Sequence, residues 1–251
     1  MTYFEFHLVF ILPILLLQLF LLWRRRASFT QVLLAIVTMS VVALVYTTPW
    51  DNYLVKNEVW WYGADRVLAV IGYVPVEEYA FFVLQTFLTG IFFYLLRTPV
   101  SVGFTPDRVS KQTGVIFWSI LTLAGFSALG FERSFYFGLI FAWATPVILF
   151  QWIIGGDRLF ARKELLLKAI LIPTFYLSLA DSVAIASGIW AISEDYTLGL
   201  KIGNLPVEEA LFFLMTNVML VFGLELTWGI SEDPSLEGQT KMQRIKGSFS
   251  F

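Results

Sequence analysis

Seven long apolar runs constrain this chain more than any other feature. A helix needs roughly 20 apolar residues to cross the hydrocarbon core of a bilayer. Windows of about that length run over Tyr3–Trp23, Phe29–Thr48, Val76–Leu96, Gly114–Gly130, Phe135–Ile154, Leu165–Trp190 and Val207–Trp228, the fourth being the shortest. Inside a bilayer no water satisfies backbone N–H and C=O groups, so runs of this kind are helical. Only 14% of the residues are charged, against roughly 25% in a soluble domain. That balance excludes a water-soluble globule and a disordered chain. With 17 basic and 19 acidic residues the chain also lacks the basic surface of a nucleic-acid binder. The predicted fold class is an all-α membrane protein with seven transmembrane helices.

Charge orients the spans. With the N-terminus placed outside, 13 Lys and Arg fall on inner segments and only Lys56, Arg66, Arg133 and Lys201 on outer ones, as the positive-inside rule requires. The expected location is the cell membrane, N-terminus outside and C-terminus cytoplasmic. Twelve carboxylates fall on the outer half, a balance of −8 there against +6 inside. Acidic residues contribute little to topology, so their outer concentration calls for a separate reason.

An internal repeat supplies it. Pro75-Val76-Glu77-Glu78-Tyr79-Ala80-Phe81-Phe82 recurs as Pro206-Val207-Glu208-Glu209-Ala210-Leu211-Phe212-Phe213, identical at six of eight positions. Asp51 with Trp60 recurs as Asp181 with Trp190. The expected organisation is a three-helix repeat over 1–98, a linker with the fourth span over 99–133, a second repeat over 134–230 and a cytoplasmic tail over 231–251. Three spans and a linker span return the chain to its starting orientation. The repeats are therefore parallel, unlike the inverted repeats of many transporters. Asp51, Glu77, Glu78, Asp181, Glu208 and Glu209 are expected at one depth, toward the outer face.

Pro at the first helical position with acids behind it is by itself an ordinary helix start. Duplication inside a membrane chain, and an Asp181 within an apolar run, point to function instead, because buried ionisable groups are costly. Neighbouring carboxyls in a low dielectric do not all ionise cheaply, so acid and base coexist in one site. Phe81, Phe82, Phe212 and Phe213 lie on helix faces within reach of the glutamates, and Trp50, Trp60, Trp61, Tyr62 and Trp190 gather near the outer interface. Most of the aromatics, Trp23 and Trp228 included, form an interfacial belt. The Phe pairs, with Trp60 and Trp190, are candidates for a wall facing a cation. Carboxyl acid, carboxylate base and π faces in a dry cavity suit protonation of an alkene followed by carbocation cyclisation. A membrane-dissolved polyene is the natural substrate.

At these residues the chain resembles the heterodimer-type lycopene cyclases of carotenoid synthesis in their fused two-domain form. The Pro-x-Glu-(Glu/Asp) motif is matched in full by Pro75–Glu78 and by Pro206–Glu209. The resemblance implies cyclisation of the acyclic ψ-ends of lycopene to ionone rings of β type. It implies Glu77, Glu78, Glu208 and Glu209 as the catalytic acids and bases, and Asp51 and Asp181 as supporting carboxylates. Glu77→Gln and Glu208→Gln are each expected to abolish or sharply reduce ring formation. No cofactor and no metal are expected. The chain has no Cys and a single His, and the dinucleotide fingerprint of flavin-dependent cyclases is absent. The expected partners are lycopene and the lipid bilayer, with no nucleic acid.

The main alternative is a proton- or cation-coupled transporter using the paired carboxylates, disfavoured by parallel repeats and by acids confined to one face. A retinal-binding protein would need a Lys in the seventh span, which has none. His7 is expected as a satisfied polar residue, Pro13, Pro146 and Pro173 as kinks, Gly155-Gly156-Asp157-Arg158 as a loop, and the tail from Ser231 as a disordered segment.

Overall fold

The computed structural model describes residues 1–25, 29–97 and 108–229. Seven helices follow in order: α1 Tyr3–Arg25, α2 Phe29–Lys56, α3 Val76–Leu96, α4 Arg108–Ala128, α5 Phe135–Ala161, α6 Lys163–Ala186 and α7 Val207–Gly229. All but α4 are long and apolar enough to cross a membrane. The tail beyond Ser231 lies outside the described residues, as does the side chain of Trp228.

α4 and α5 form an antiparallel hairpin. Gly114 of α4 lies against Trp152, Gly125 against Phe141 and Ala142, and Gly138 of α5 against Leu129. Small residues let two backbones approach this closely in an apolar setting. At about 1.5 Å per residue, the 21 residues of α4 follow α5 through most of its depth.

The two helices that open with Pro-Val-Glu-Glu stand at the centre. α3 packs on α1, α2, α6 and α7, while α7 packs on α5, α6, α2 and α3. Exchanging α1 for α5, α2 for α6 and α3 for α7 turns each of these contacts into another of the same set. Where α3 meets α7 the contact is polar: Gln85 Nε2 donates to Thr216 Oγ1 at 2.8 Å and Thr89 Oγ1 to Asn217 Oδ1 at 2.8 Å. Asn217 Nδ2 extends the chain to Thr174 of α6 at 3.0 Å. Such groups satisfy one another because the bilayer would not. At the opposite end of α7, the buried Glu225 meets Arg162 at 3.4 Å and Arg97 at 4.0 Å.

Short strands join these helices, a feature that hydropathy did not disclose. β1 Trp60–Tyr62, β2 Val70–Ile71 and β3 Val74–Pro75 lie between α2 and α3; β4 Trp190–Ile192, β5 Lys201–Ile202 and β6 Leu205–Pro206 lie between α6 and α7. β2–β3 and β5–β6 are hairpins whose two-residue turns open with Gly72 and Gly203 at positive φ, the glycine position of a II′ turn. β1 pairs antiparallel with β4, so Trp61 faces Ala191 and Tyr62 faces Trp190.

Three local expectations need correction. The sixth run was expected to continue to Trp190, but α6 ends at Ala186. Gly188 turns at φ +65°, Ile189 N–H reaches Ala184 O, and Gly188 N–H reaches Ile185 O. This is a Schellman stop, and it releases Trp190 into β4. The glycines at 155 and 156, with Asp157 and Arg158, belong to α5, not to a loop. A Cβ on Gly155 would meet Leu226 at 2.3 Å; the glycine serves a close helix crossing, and it carries the break in helical dihedrals that Pro146 does not. His7 is buried, but its Nε2 has no hydrogen-bond partner. It is held by ring contacts with Tyr3 and Phe81, at the start of a π-helical turn, His7–Ile11.

Candidate active site

Each Pro-Val-Glu-Glu divides its two carboxylates between different tasks. Pro75 and Pro206 end their strands, and the helix starts immediately after them. Val76 N–H bonds back to Ala69 O and Val207 N–H to Leu200 O. The first glutamate of each pair then turns to the same loop: Glu77 Oε1 accepts from Leu68 N–H at 2.7 Å and Glu208 Oε1 from Leu198 N–H at 2.6 Å. The second glutamate, one residue further round the helix, points the other way. Glu78 and Glu209 line a partly enclosed cavity of about 490 Å3 at this end of the bundle.

Tyrosines hold both inward carboxylates. Tyr3 OH donates to Glu78 Oε2 at 2.6 Å and Tyr136 OH to Glu209 Oε1 at 2.6 Å. The capping box between Thr2 and Glu5 starts α1, and Tyr3 N–H is pinned to Arg66 O; Tyr136 N–H is pinned in the same way to Tyr196 O. Tyr62 of β1 adds a second bond to Glu78 at 3.1 Å. Burial, and then the charge of Glu78, hold the Tyr62 hydroxyl well above the ordinary tyrosine value, so it remains a donor at neutral pH.

The two aspartates join the site unequally. Asp181 lines the cavity and accepts from Trp190 Nε1 at 2.7 Å. Asp51 is fully buried, and neither of its oxygens has a hydrogen-bond partner; nor does Trp60 Nε1. Charge interactions link each aspartate to both Glu78 and Glu209. Four carboxylates from four helices therefore share one electrostatic environment.

The walls are aromatic. Phe81, Phe212, Phe213, Trp60 and Trp190 all line the cavity. Phe82 does not; it is buried with its ring edge-to-face against Tyr79. Sequence reasoning did not find Tyr3, Phe6, Tyr136, Leu177 or Ile192. The signal for the tyrosines was present, since each opens the first helix of its half, 133 residues apart. The packing crosses between halves: Tyr3 contacts Trp190 at 4.9 Å and Tyr136 contacts Trp60 at 5.5 Å between ring centroids. No group of three metal-ligating side chains occurs among the described residues.

These features define a class: a multi-pass membrane protein with a carboxylate-rich, aromatic-walled cavity at one end of its bundle. The family model for lycopene cyclases matches residues 3–96 and 133–227, and the chain belongs to that family. It is 41% identical to a lycopene beta-cyclase of Halobacterium salinarum over 203 residues, which span 81% of this chain and 83% of that protein. It is 37% identical over 232 residues to the bifunctional lycopene cyclase/phytoene synthase of Blakeslea trispora, covering 88% of this chain and 38% of that one. The corresponding Aspergillus oryzae protein is 36% identical over 74% of this chain and 33% of its own length. The chain therefore spans about a third of those fungal proteins. No solved structure matches it significantly.

Proposed function

We propose that this protein is a lycopene cyclase that closes ψ-ends to β-ionone rings by acid-initiated carbocation chemistry. The observation that carries the reading is the pair of cavity glutamates, Glu78 and Glu209, each held by a tyrosine hydroxyl and faced by aromatic rings. A protonated carboxyl delivers its proton to the terminal double bond, leaving a tertiary cation. The π electrons of the inner double bond attack that cation and close a six-membered ring. A carboxylate then removes a ring proton, so one proton enters and one leaves, and the product is an isomer of the substrate. Phe81, Phe212, Phe213, Trp60 and Trp190 supply the negative ring faces that stabilise the travelling charge. The reaction is redox-neutral and draws on no cofactor.

Within this reading Glu78 and Glu209 exchange protons with substrate, while Glu77 and Glu208 hold the loops that close the site end. Asp51 and Asp181 share the proton inventory. The site is composite, formed between two parallel three-helix repeats on a pseudo-twofold axis. Two contacts support that axis, because residues at matching positions touch there: Trp61 with Ala191, and Gln85 with Thr216. The pairs are not chemically equal. Glu78 receives two donors and Glu209 one, and Asp181 has a partner that Asp51 lacks. That inequality supports separate acid and base roles. We place the site end at the outer face of the cell membrane, from the charge asymmetry of the segments. The test is expression in lycopene-accumulating cells with chromatography of the pigments. Bicyclic or monocyclic β-ring products are expected, and unchanged lycopene beside well-inserted protein refutes the reading.

A further inference from the structure

A second concavity lies on the lipid-facing flank of the bundle, between α2 and α5. Val41, Val42, Val45, Tyr46, Trp50 and Trp143 line it, enclosing about 1020 Å3 of open groove. Its valines are exposed, Val45 at 68%. Its rings lead inward as a ladder of stacked faces. Tyr46 lies over Trp143 at 5.5 Å and 18°, Trp143 over Trp50 at 4.6 Å and 19°, and Trp50 over Phe212 at 5.6 Å and 2°. Phe212 is a wall of the cavity that holds Glu78 and Glu209. Trp50 therefore faces the groove and backs directly onto the site. Two hydrogen bonds lock the ladder: Tyr46 OH to Trp143 O at 2.8 Å and Trp50 Nε1 to Leu139 O at 3.2 Å.

We propose that this groove seats the unreacted polyene arm of the substrate, with Trp50 as the panel between that arm and the reacting end. The inference rests on the cyclase reading and adds the path by which substrate lies in the bilayer and reaches the carboxylates. The groove is apolar and opens to lipid, as an uncharged chain requires. Its floor is flat and coplanar, which suits a rigid conjugated chain better than a flexible saturated acyl chain, since planar π systems gain most from offset stacking. A rod-like polyene whose end occupies the cavity must leave it somewhere, and the ladder is a continuous route. Val41 to Trp50 is nine residues, about 14 Å of helix along which the arm can lie. The other half offers no such ladder: 130 residues on, Trp50 is replaced by Ala180 and Val41 by Leu171, and in place of Trp143 stands Phe10, whose carbonyl receives Tyr176 OH. One arm is held on one side.

The test uses the full chain, with Val42→Trp and Val45→Trp to fill the groove and Leu171→Trp as a control on the matching face of α6. Each variant is expressed in lycopene-rich membranes and purified in detergent as a monodisperse protein. Bound lycopene per protein and conversion of lycopene are then measured separately. The groove variants are expected to retain a tenth or less of the wild-type lycopene and to lose conversion in proportion, while Leu171→Trp matches wild type. Normal retention and conversion in both groove variants overturn the proposal. So does a change of oligomeric state with lycopene retention intact, which would make the groove a subunit interface. If wild type binds lycopene without converting it, the cyclase reading fails while the binding comparison still decides the groove. If wild type neither binds nor converts, both fall.

Discussion

Glu208→Gln and Glu209→Gln differ by one residue in sequence and should differ by orders of magnitude in effect. In Glu209→Gln the amide oxygen still accepts from Tyr136 OH, whose bond to the carboxylate is 2.6 Å long, so packing and stability are nearly kept. What disappears is the proton. General acid–base groups contribute about 10²–10⁴ in rate, and ring formation is expected to fall by at least about a hundredfold. In Glu208→Gln the amide oxygen still accepts from Leu198 N–H, now without charge assistance. Hydrogen bonds to charged groups contribute about 1.5–3 kcal/mol and neutral ones about 0.5–1.5, so the loss is about 1 kcal/mol. Even if all of that fell on the transition state, the rate would drop only about fivefold. The assay is conversion of lycopene in vesicles by equal amounts of inserted protein, with thermal unfolding in detergent alongside. Position in the sequence treats the two glutamates of each pair alike and expects Glu77→Gln and Glu208→Gln to be severe; the geometry moves the severe effect to Glu78 and Glu209. Glu208→Gln as inactive as Glu209→Gln, at unchanged stability, would refute the division of labour, as would an active Glu209→Gln.

Tyr136→Phe removes a hydrogen bond to a buried carboxylate, worth about 1.5–3 kcal/mol; conversion should fall about tenfold or more with membrane insertion unchanged, and full activity would show that Glu209 needs no orienting donor. Gly63→Ala places a Cβ 2.3 Å from Gly188 O, beside the bond from Gly63 N–H to Ile189 O that extends the β1–β4 pair; lower melting temperature and lost activity are expected, and wild-type behaviour would deny that this crossing holds the halves together. Glu58 ends α2 at φ +57°, the place Gly188 takes after α6; relief of left-handed strain makes Glu58→Gly more stable by about 1 kcal/mol, read from thermal unfolding. Asn217→Ala strips the partner from Thr89 and Thr174 and should cost about 1–3 kcal/mol for the polar groups left buried, again read as a lower melting temperature.

Much of this was legible before folding. Long apolar runs leave the backbone no partner but itself, so the helices and their approximate limits follow from hydropathy alone. The duplicated Pro-Val-Glu-Glu marked both central helices and the end of the bundle where the site lies. Pattern could not show which way each carboxylate turns. Glu77 and Glu78 are adjacent and identical, and only the loop returning through Leu68 and the tyrosine arriving from α1 distinguish them. Tyr3 and Tyr136 were hidden for the same reason: each acts 75 and 73 residues from its own position, a separation closed only when the helices assemble. Trp190 read as the end of a span, until a glycine stop placed it in a strand beside Asp181. The sequence alone determined that carboxylates and aromatics would share one end of a membrane bundle, because burial cost and periodicity are local properties. The tertiary structure decided which of them face the cavity, because side-chain direction depends on partners the chain brings from far away.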